Sequence, residues 1–108
     1  MPDTFALPTP CLILDRDRLK RNAARMSERA AQLGVRLRPH LKTSKSAEVA
    51  LLATRGQFGG ITVSTLREAD YFLTAGFTDI TYAVGIAPGK LDSVAALMDR
   101  GANIGLIV

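Results

Sequence analysis

The repeating order of apolar runs and amphipathic stretches is the feature of this sequence that most restricts its fold. The amphipathic stretches carry apolar residues every three or four positions, which is the spacing of one helix face. The later apolar runs begin roughly 20–25 residues apart, the length of one strand plus one helix. This order predicts an α/β fold with a parallel sheet. The strand-like runs are residues 10–14, 35–39, 61–63, 79–84 and 103–108.

Capping residues bound the predicted helices. Asp15 precedes the first helix and Gly34 follows its last apolar position, as an N-cap and a C-cap do. Thr65 and Glu68 have the spacing of a capping box. The first run, Pro10 to Leu14, is predicted to be either a buried strand or an extended lead-in. The helices are predicted to extend from Asp15 to Gly34, from Ser44 to Thr54, from Thr65 to Gly76 and from Pro88 to Gly101.

The number of strands is too small for a closed barrel. A barrel of eight βα units needs about 250 residues, and this chain has 108, the last of them in an apolar run. We therefore expect residues 1–108 to form the N-terminal portion of a (β/α)8 barrel, with about four βα units and the C-terminal half absent. A small open α/β sheet that is complete in itself is the alternative. An incomplete barrel would leave sheet edges unpaired, so we expect the chain alone to self-associate and to be inactive.

Composition and charge exclude several classes of protein. A hydrophobic fraction of 47% excludes a disordered chain, and no apolar run approaches the roughly 20 residues of a membrane span. No signal peptide is apparent and there is one cysteine, which favours the cytoplasm. Residues 1–54 hold ten Lys or Arg against five Asp or Glu. A nucleic-acid-binding module is the less favoured interpretation of this basic half, because the sequence has six aromatic residues and no Trp to interleave with it.

Lys42 and His40 are the candidate functional residues. Both follow the run at residues 35–39, and the carboxyl ends of barrel strands carry the chemistry. A partly desolvated lysine there can form a Schiff base, although position alone favours an ordinary surface lysine in a βα loop. His40 could contact a cofactor, hold Lys42, or only satisfy local backbone groups. Lys45 is expected to be solvated, Ser64 and Thr65 to cap a helix rather than bind an anion, and Tyr82 and Cys11 to be buried.

Several segments resemble the D-threonine aldolase and D-serine dehydratase group, which are pyridoxal 5'-phosphate (PLP) enzymes of the alanine racemase-like fold type. Leu37 to Lys45 is similar to the group's Arg-Pro-His-x-Lys-Thr-x-Lys motif. Thr9 to Asp15 and the helix around Arg18 to Asn22 resemble its opening. Phe58 to Thr65 and Tyr82 to Ile86 are similar to one branch of the group.

The resemblance implies a function for the whole protein. It implies a PLP-dependent lyase that acts on a D-β-hydroxy amino acid, with Lys42 bound to PLP as a Schiff base and His40 beside the cofactor. A divalent metal, Zn or Mn, and a homodimer are also implied, but the metal ligands of the group lie near the C-terminus and this chain has none of them. Ser44 stands where many members have histidine, which leaves the substrate open. An aldolase, a dehydratase, a racemase and a non-catalytic PLP-binding relative remain alternatives.

Overall fold

The fold is known from a computed structural model that describes residues 3–55 and 59–108. Helices and parallel strands alternate through the second half of the chain, as the sequence predicts. In chain order the elements are a 3₁₀ helix at Thr4–Ala6, α1 (Arg16–Leu33), α2 (Ala47–Ala53), β1 (Ile61–Val63), α3 (Leu66–Thr74), β2 (Asp79–Gly85), a 3₁₀ helix at Pro88–Lys90, α4 (Leu91–Asp99) and β3 (Asn103–Ile107).

The three strands form one parallel sheet in the order β1-β2-β3. Ile61 pairs with Ile80, and Ile80 pairs with Ile104. Beyond β1, an isolated parallel bridge between His40 and Thr62 extends the sheet. The carboxyl ends of all these segments therefore meet at one edge, which we call the carboxyl edge.

The two faces of the sheet differ in character. Ile61, Ile80 and Ile104 are buried, and with Phe72 of α3 and Val94 of α4 they belong to one hydrophobic cluster. The partners in the neighbouring row of the register are His40, Thr62, Thr81 and Gly105. Because side chains alternate along a strand, this row faces away from the helices. A Cβ built on Gly105 would lie 3.8 Å from the Thr81 hydroxyl oxygen, as expected for residues on one face.

The predicted capping residues are confirmed. The Asp15 side chain accepts a hydrogen bond from the Arg18 N–H, and Gly34 ends α1 in the left-handed conformation at φ 66°. The Thr65 hydroxyl accepts from the Glu68 N–H at the start of α3. These side chains satisfy helix-end groups that have no partner within the helix.

The prediction of a strand at residues 35–39 is wrong. The structure forms only the His40–Thr62 bridge there, through a Thr62 N–H to Pro39 carbonyl bond and a Leu41 N–H to Thr62 carbonyl bond. Proline has no N–H to donate, which limits the pairing at this point. Within residues 3–55 and 59–108 the sheet therefore has three strands and one bridge instead of four strands.

Several burial predictions near the N-terminus are also wrong. Residues 10–14 form no strand, and Leu12 is 93% exposed, so the extended lead-in is the correct alternative. Cys11 is exposed. On α1 only Ala30 is buried. Met26, one of the apolar residues at helical spacing in this helix, is exposed. Apolar residues at helical spacing marked a helix correctly, but this part of the chain buries little of that face.

The second helix begins later than predicted. Ser46 is its N-cap and accepts from the Val49 N–H, so α2 starts at Ala47 instead of Ser44. Lys45, just before the cap, has a positive φ of 46°. Residues 42–44 form a turn instead of helix. The Lys42 segment is thus a compact loop between the bridge and α2.

Candidate functional site

Lys42 lies at the carboxyl edge, in the turn that follows the His40–Thr62 bridge. Two backbone bonds fix this turn. The Leu41 N–H donates to the Thr62 carbonyl at 3.0 Å, and the Lys45 N–H donates back to the Leu41 carbonyl at 2.9 Å. Leu41 itself is 2% exposed and belongs to the core. A buried anchor thus precedes Lys42, whose own side chain is exposed.

His40 contacts the same turn through its ring. The Lys42 backbone N–H donates to His40 Nδ1 at 3.3 Å. When Nδ1 accepts, the proton of the neutral ring lies on Nε2, which is then a donor. His40 is an exposed residue, and its Nε2 has no hydrogen-bond partner among the described residues. Backbone positioning and cofactor contact are both compatible with this geometry.

Glu68 is the buried charged residue of the carboxyl edge. It is 5% exposed and accepts from the Ser64 and Thr65 hydroxyls at 2.8 Å each, and from the Ser64 N–H at 3.4 Å. Burial by itself raises the pKa of Glu68, but the hydrogen bonds from Ser64 and Thr65 and the positive charge of Lys45 outweigh it. The pKa of Glu68 is therefore lowered from its ordinary value of 4.5.

A second contact joins α3 to the start of α2. The Ala47 N–H donates to the Tyr71 hydroxyl oxygen at 3.0 Å. Tyr71 and Glu68 line a cleft of about 370 Å³ together with Lys45, Thr65 and Arg67. Helix α3 therefore contacts both the corner after β1, formed by Ser64 and Thr65, and the helix that follows the Lys42 turn.

A larger cleft, of about 500 Å³, lies at the opposite edge of the sheet. Arg38, Gly60 and Asp79 line it, and Asp79 begins β2. In parallel barrels this amino-terminal edge contributes to stability, and the chemistry takes place at the carboxyl ends of the strands. Position therefore favours the carboxyl edge as the functional site over the larger cleft.

The known proteins that this chain resembles include dehydratases and an aldolase of D-amino acids. No family model matches the sequence. D-threo-3-hydroxyaspartate dehydratase from Delftia sp. (strain HT23) is 51% identical over 109 aligned residues, which cover 100% of this chain and 29% of the dehydratase. The solved structure of that dehydratase matches with a TM-score of 0.89 over 95% of this chain and 27% of its own.

Two further relatives broaden the comparison. D-serine dehydratase from Dictyostelium discoideum is 41% identical over 94 residues, covering 82% of this chain and 24% of that enzyme. The structure of D-threonine aldolase from Filomicrobium marinum is 34% identical, with a TM-score of 0.80 over 94% of this chain and 28% of that one. This chain is homologous to the D-threonine aldolase and D-serine dehydratase group. It spans less than a third of the length of these relatives.

The match to this group confirms the predicted fold, an α/β chain equivalent to the N-terminal barrel portion of alanine racemase-like PLP enzymes. Among residues 3–55 and 59–108, no three His, Cys, Asp or Glu side chains lie close enough to hold a metal ion. No described helix has the length and apolarity to cross a bilayer. Phe58, part of one segment that resembles the aldolase and dehydratase group, lies outside the described residues.

The structure brings some predicted residues of this aldolase and dehydratase homologue together and separates others. His40 and Lys42 are in contact, and Thr65 caps α3 as predicted. Tyr82 is buried, with Lys90 Nζ 3.4 Å from its hydroxyl. Lys45 is exposed but faces the Glu68 cleft, where its charge affects Glu68. The sequence marked Glu68 only as a cap partner and gave no sign of Tyr71. The interaction of Glu68 with the charge of Lys45 and the bond of Tyr71 to Ala47 join distant parts of the chain, so neither has a local sequence signal.

Proposed function

We propose that the intact protein is a PLP-dependent lyase acting on D-3-hydroxy amino acids, with Lys42 as the residue that binds PLP covalently. The position of Lys42 carries the proposal. It is an exposed amine, fixed by a buried neighbour, at the carboxyl edge of a chain homologous to dehydratases and aldolases of this substrate class.

The residues of the carboxyl edge fit PLP. An aldehyde cofactor requires an accessible primary amine, and Lys42 has one. The other lysines are placed less well. Lys20 is on the exposed surface of α1, Lys45 precedes α2 with a backbone turned into the left-handed region, and Lys90 is directed to the Tyr82 hydroxyl. Lys42 is the lysine that directly follows the bridged segment.

His40 and Lys42 would have separate tasks. PLP, when bound, supplies an electron sink for charge that develops at the substrate Cα. Lys42 would hold the cofactor and, when its amine is free, carry a proton on Nζ. His40 would hold the Lys42 backbone through Nδ1 and donate from Nε2 toward the cofactor. His40 and Lys42 are both exposed residues, which leaves room for a cofactor beside them.

Dehydration is the reaction that we favour. The relative that is 51% identical is a D-threo-3-hydroxyaspartate dehydratase, whereas the D-threonine aldolase is 34% identical. A dehydratase removes the β-hydroxyl and yields a keto acid and ammonia, and an aldolase yields glycine and an aldehyde. We further propose that a divalent metal, Zn or Mn, assists as a Lewis acid at the substrate hydroxyl, with ligands outside the described residues. A cytoplasmic homodimer completes the proposal.

Covalent trapping tests the cofactor residue. The intact protein, the product of the complete reading frame, is mixed with PLP, reduced with borohydride, digested and mapped by mass spectrometry. We expect modification at Lys42 and its loss in Lys42→Arg, while Lys45→Arg, the matched control, remains modified. Equal modification of Lys20, Lys42, Lys45 and Lys90 would refute the assignment.

Product analysis tests the reaction. The intact protein is incubated with D-threo-3-hydroxyaspartate, and ammonia and glycine are measured. Ammonia with a keto acid supports dehydration, and glycine supports the aldolase. If PLP is trapped on Lys42 but parallel incubations with D-threo-3-hydroxyaspartate, D-serine and D-threonine all leave the amino acid unconsumed, the protein is a non-catalytic PLP-binding relative.

A further inference from the structure

We propose that Glu68 is a positioning residue for Lys42, acting through the corner after β1 and through the charge of Lys45. The proposal rests on the function proposed above and adds a residue outside the motif that contains Lys42. Glu68 is on α3, 26 positions beyond Lys42 in the sequence.

The hydrogen bonds of Glu68 favour its ionised form. Both hydroxyls, of Ser64 and Thr65, donate to Glu68 Oε2 at 2.8 Å, and the Ser64 N–H donates to Oε1 at 3.4 Å. A carboxylate accepts at both oxygens, whereas a protonated carboxyl must donate from one of them. The buried carboxylate therefore fixes the corner after β1 as an anion.

That corner lies beside the Lys42 turn. His40 and Thr62 are paired, and Lys42 and Ser64 each follow a member of that pair by two residues. Ser64 is thus the residue of the β1 segment that corresponds to Lys42. Tyr71, one helical turn beyond Glu68, binds the Ala47 N–H on the other side of the turn. Helix α3 therefore contacts the surroundings of Lys42 at two points.

Lys45 connects Glu68 to the turn electrostatically. It lines the same cleft as Glu68, and its N–H is bonded to the Leu41 carbonyl directly before Lys42. In the described part of the chain the two side chains form no direct ion pair, so the Lys45 ammonium acts through its field. The groups that face Glu68 are Ser64 and Thr65 from the corner, Lys45 from the turn, and Arg67 and Tyr71 from α3.

Neutralising Glu68 therefore leaves Lys45 without its compensating charge. An uncompensated positive charge three residues from Lys42 disfavours the protonated amine of Lys42. The pH midpoint for acylation of Lys42 should then fall, on the order of half a pH unit for an exposed pair of like charges. Neutralising Lys45 alone should raise this midpoint, because the Glu68 carboxylate then lacks its cation.

Competitive acetylation of the intact protein without PLP measures this midpoint for each lysine by mass spectrometry. We expect Glu68→Gln to lower the Lys42 midpoint, Lys45→Gln to raise it, and the double variant to return it close to the wild-type value. Glu48→Gln is the matched control, because Glu48 is an exposed glutamate in the first turn of α2. It should leave the midpoint unchanged.

A role of Glu68 in stability alone would give a different pattern. Glu68→Gln would then lower the unfolding midpoint in urea without moving the Lys42 acylation midpoint. Adding Lys45→Gln to that variant would not restore the unfolding midpoint. This pattern overturns the proposal. If Glu68→Gln does not fold, Lys45→Gln decides, since an unchanged Lys42 midpoint in that variant refutes the coupling. Failure of PLP to bind wild-type Lys42 would instead refute the proposed function and leave these titrations interpretable.

Discussion

Arg38 and Asp79 are joined by two parallel hydrogen bonds across the amino-terminal edge of the sheet. Nη1 donates to Oδ1 at 2.7 Å, and Nη2 donates to Oδ2 at 3.0 Å. Arg38 lies two residues before His40, and Asp79 begins β2. The pair therefore reaches across the β1 segment and ties down the stretch for which the sequence predicted a strand. Side chains here replace part of the backbone ladder that does not form.

Gly60→Ala should break this connection. A Cβ at Gly60 would lie 2.8 Å from Arg38 Nη1, closer than Cβ atoms approach such a neighbour, and 3.0 Å from Asp79 Oδ2, which is tighter than most such contacts. The pair is partly exposed, so its own contribution is modest. Both atoms lie at the ends of flexible side chains that can move aside, so we expect the displacement to cost about 1 kcal/mol of unfolding free energy. Urea denaturation of the intact protein measures this cost.

Gly89→Ala is the matched control for that substitution. A Cβ at Gly89 meets no atom within 4 Å, so the unfolding free energy of the Gly89→Ala variant should remain within about 0.5 kcal/mol of wild type. Equal unfolding midpoints for the two variants would show that the Arg38–Asp79 pair tolerates the added methyl group.

The parts of the fold that local chemistry determines could be predicted from the sequence. Asp15, Gly34 and Thr65 bound their helices through contacts within a few residues, and each prediction is confirmed. Strands β2 and β3 carry apolar residues that pack on helices from the same part of the chain. The same pattern failed for residues 35–39, where pairing depends on a neighbouring segment and on Pro39.

The site could be predicted only in part, for the same reason. The motif around Lys42 marks His40 and Lys42, which are two residues apart and in contact. The contacts of Tyr71 with Ala47 and of Lys45 with the Glu68 cleft join residues more than 20 positions apart. No periodicity or cap signal encodes them, because they arise only when α3 packs beside the Lys42 turn.

Substitutions at His40 should separate its two tasks. In His40→Asn the amide oxygen can accept the Lys42 N–H in place of Nδ1, whereas in His40→Ala nothing can. Without PLP, we expect the acylation rate of Lys42 in His40→Asn to remain near that of wild type. In His40→Ala the rate should change about fivefold, which corresponds to the loss of one hydrogen bond of about 1 kcal/mol. Mass spectrometry of the acetylated intact protein measures this rate.

The affinity for PLP should behave differently in the same two variants. Neither replacement carries a donor at the position of Nε2, so both should bind PLP more weakly than wild type, as fluorescence titration would show. Equal acylation rates in His40→Asn and His40→Ala would mean that the bond from the Lys42 N–H has no part in holding the turn.

Tyr71→Phe should loosen the start of α2. The Ala47 N–H loses its acceptor, at a cost of about 0.5–1 kcal/mol because this bond is exposed to water. Hydrogen exchange followed by mass spectrometry should show faster exchange in peptides that cover residues 46–53. Peptides that cover α4 provide the internal control, since α4 has no contact with Ala47 among the described hydrogen bonds. Faster exchange in both regions would indicate general destabilisation instead of a local contact.

The lowered pKa of Glu68 makes the stability of the protein depend on pH with a definite sign. Because the folded protein favours the ionised carboxylate, Glu68 binds a proton less readily in the folded state than at its ordinary pKa of 4.5 in the unfolded state. The contribution of ionised Glu68 to the unfolding free energy is therefore complete above about pH 5. It is lost as the pH falls through the lowered pKa that Glu68 has in the folded state. As the pH falls from about 5 through the lowered pKa of Glu68, the unfolding free energy of wild type should decrease more than that of Glu68→Gln.

Urea denaturation of the intact protein at about pH 7, 5, 4 and 3 tests this difference. The gap in unfolding free energy between wild type and Glu68→Gln should be largest at pH 7 and should narrow as the pH falls. Glu48→Gln should retain the wild-type slope, because Glu48 is exposed. A gap of constant size would mean that the folded state does not favour the ionised carboxylate over the protonated one, so that the hydrogen bonds of Glu68 would not account for its effect on stability.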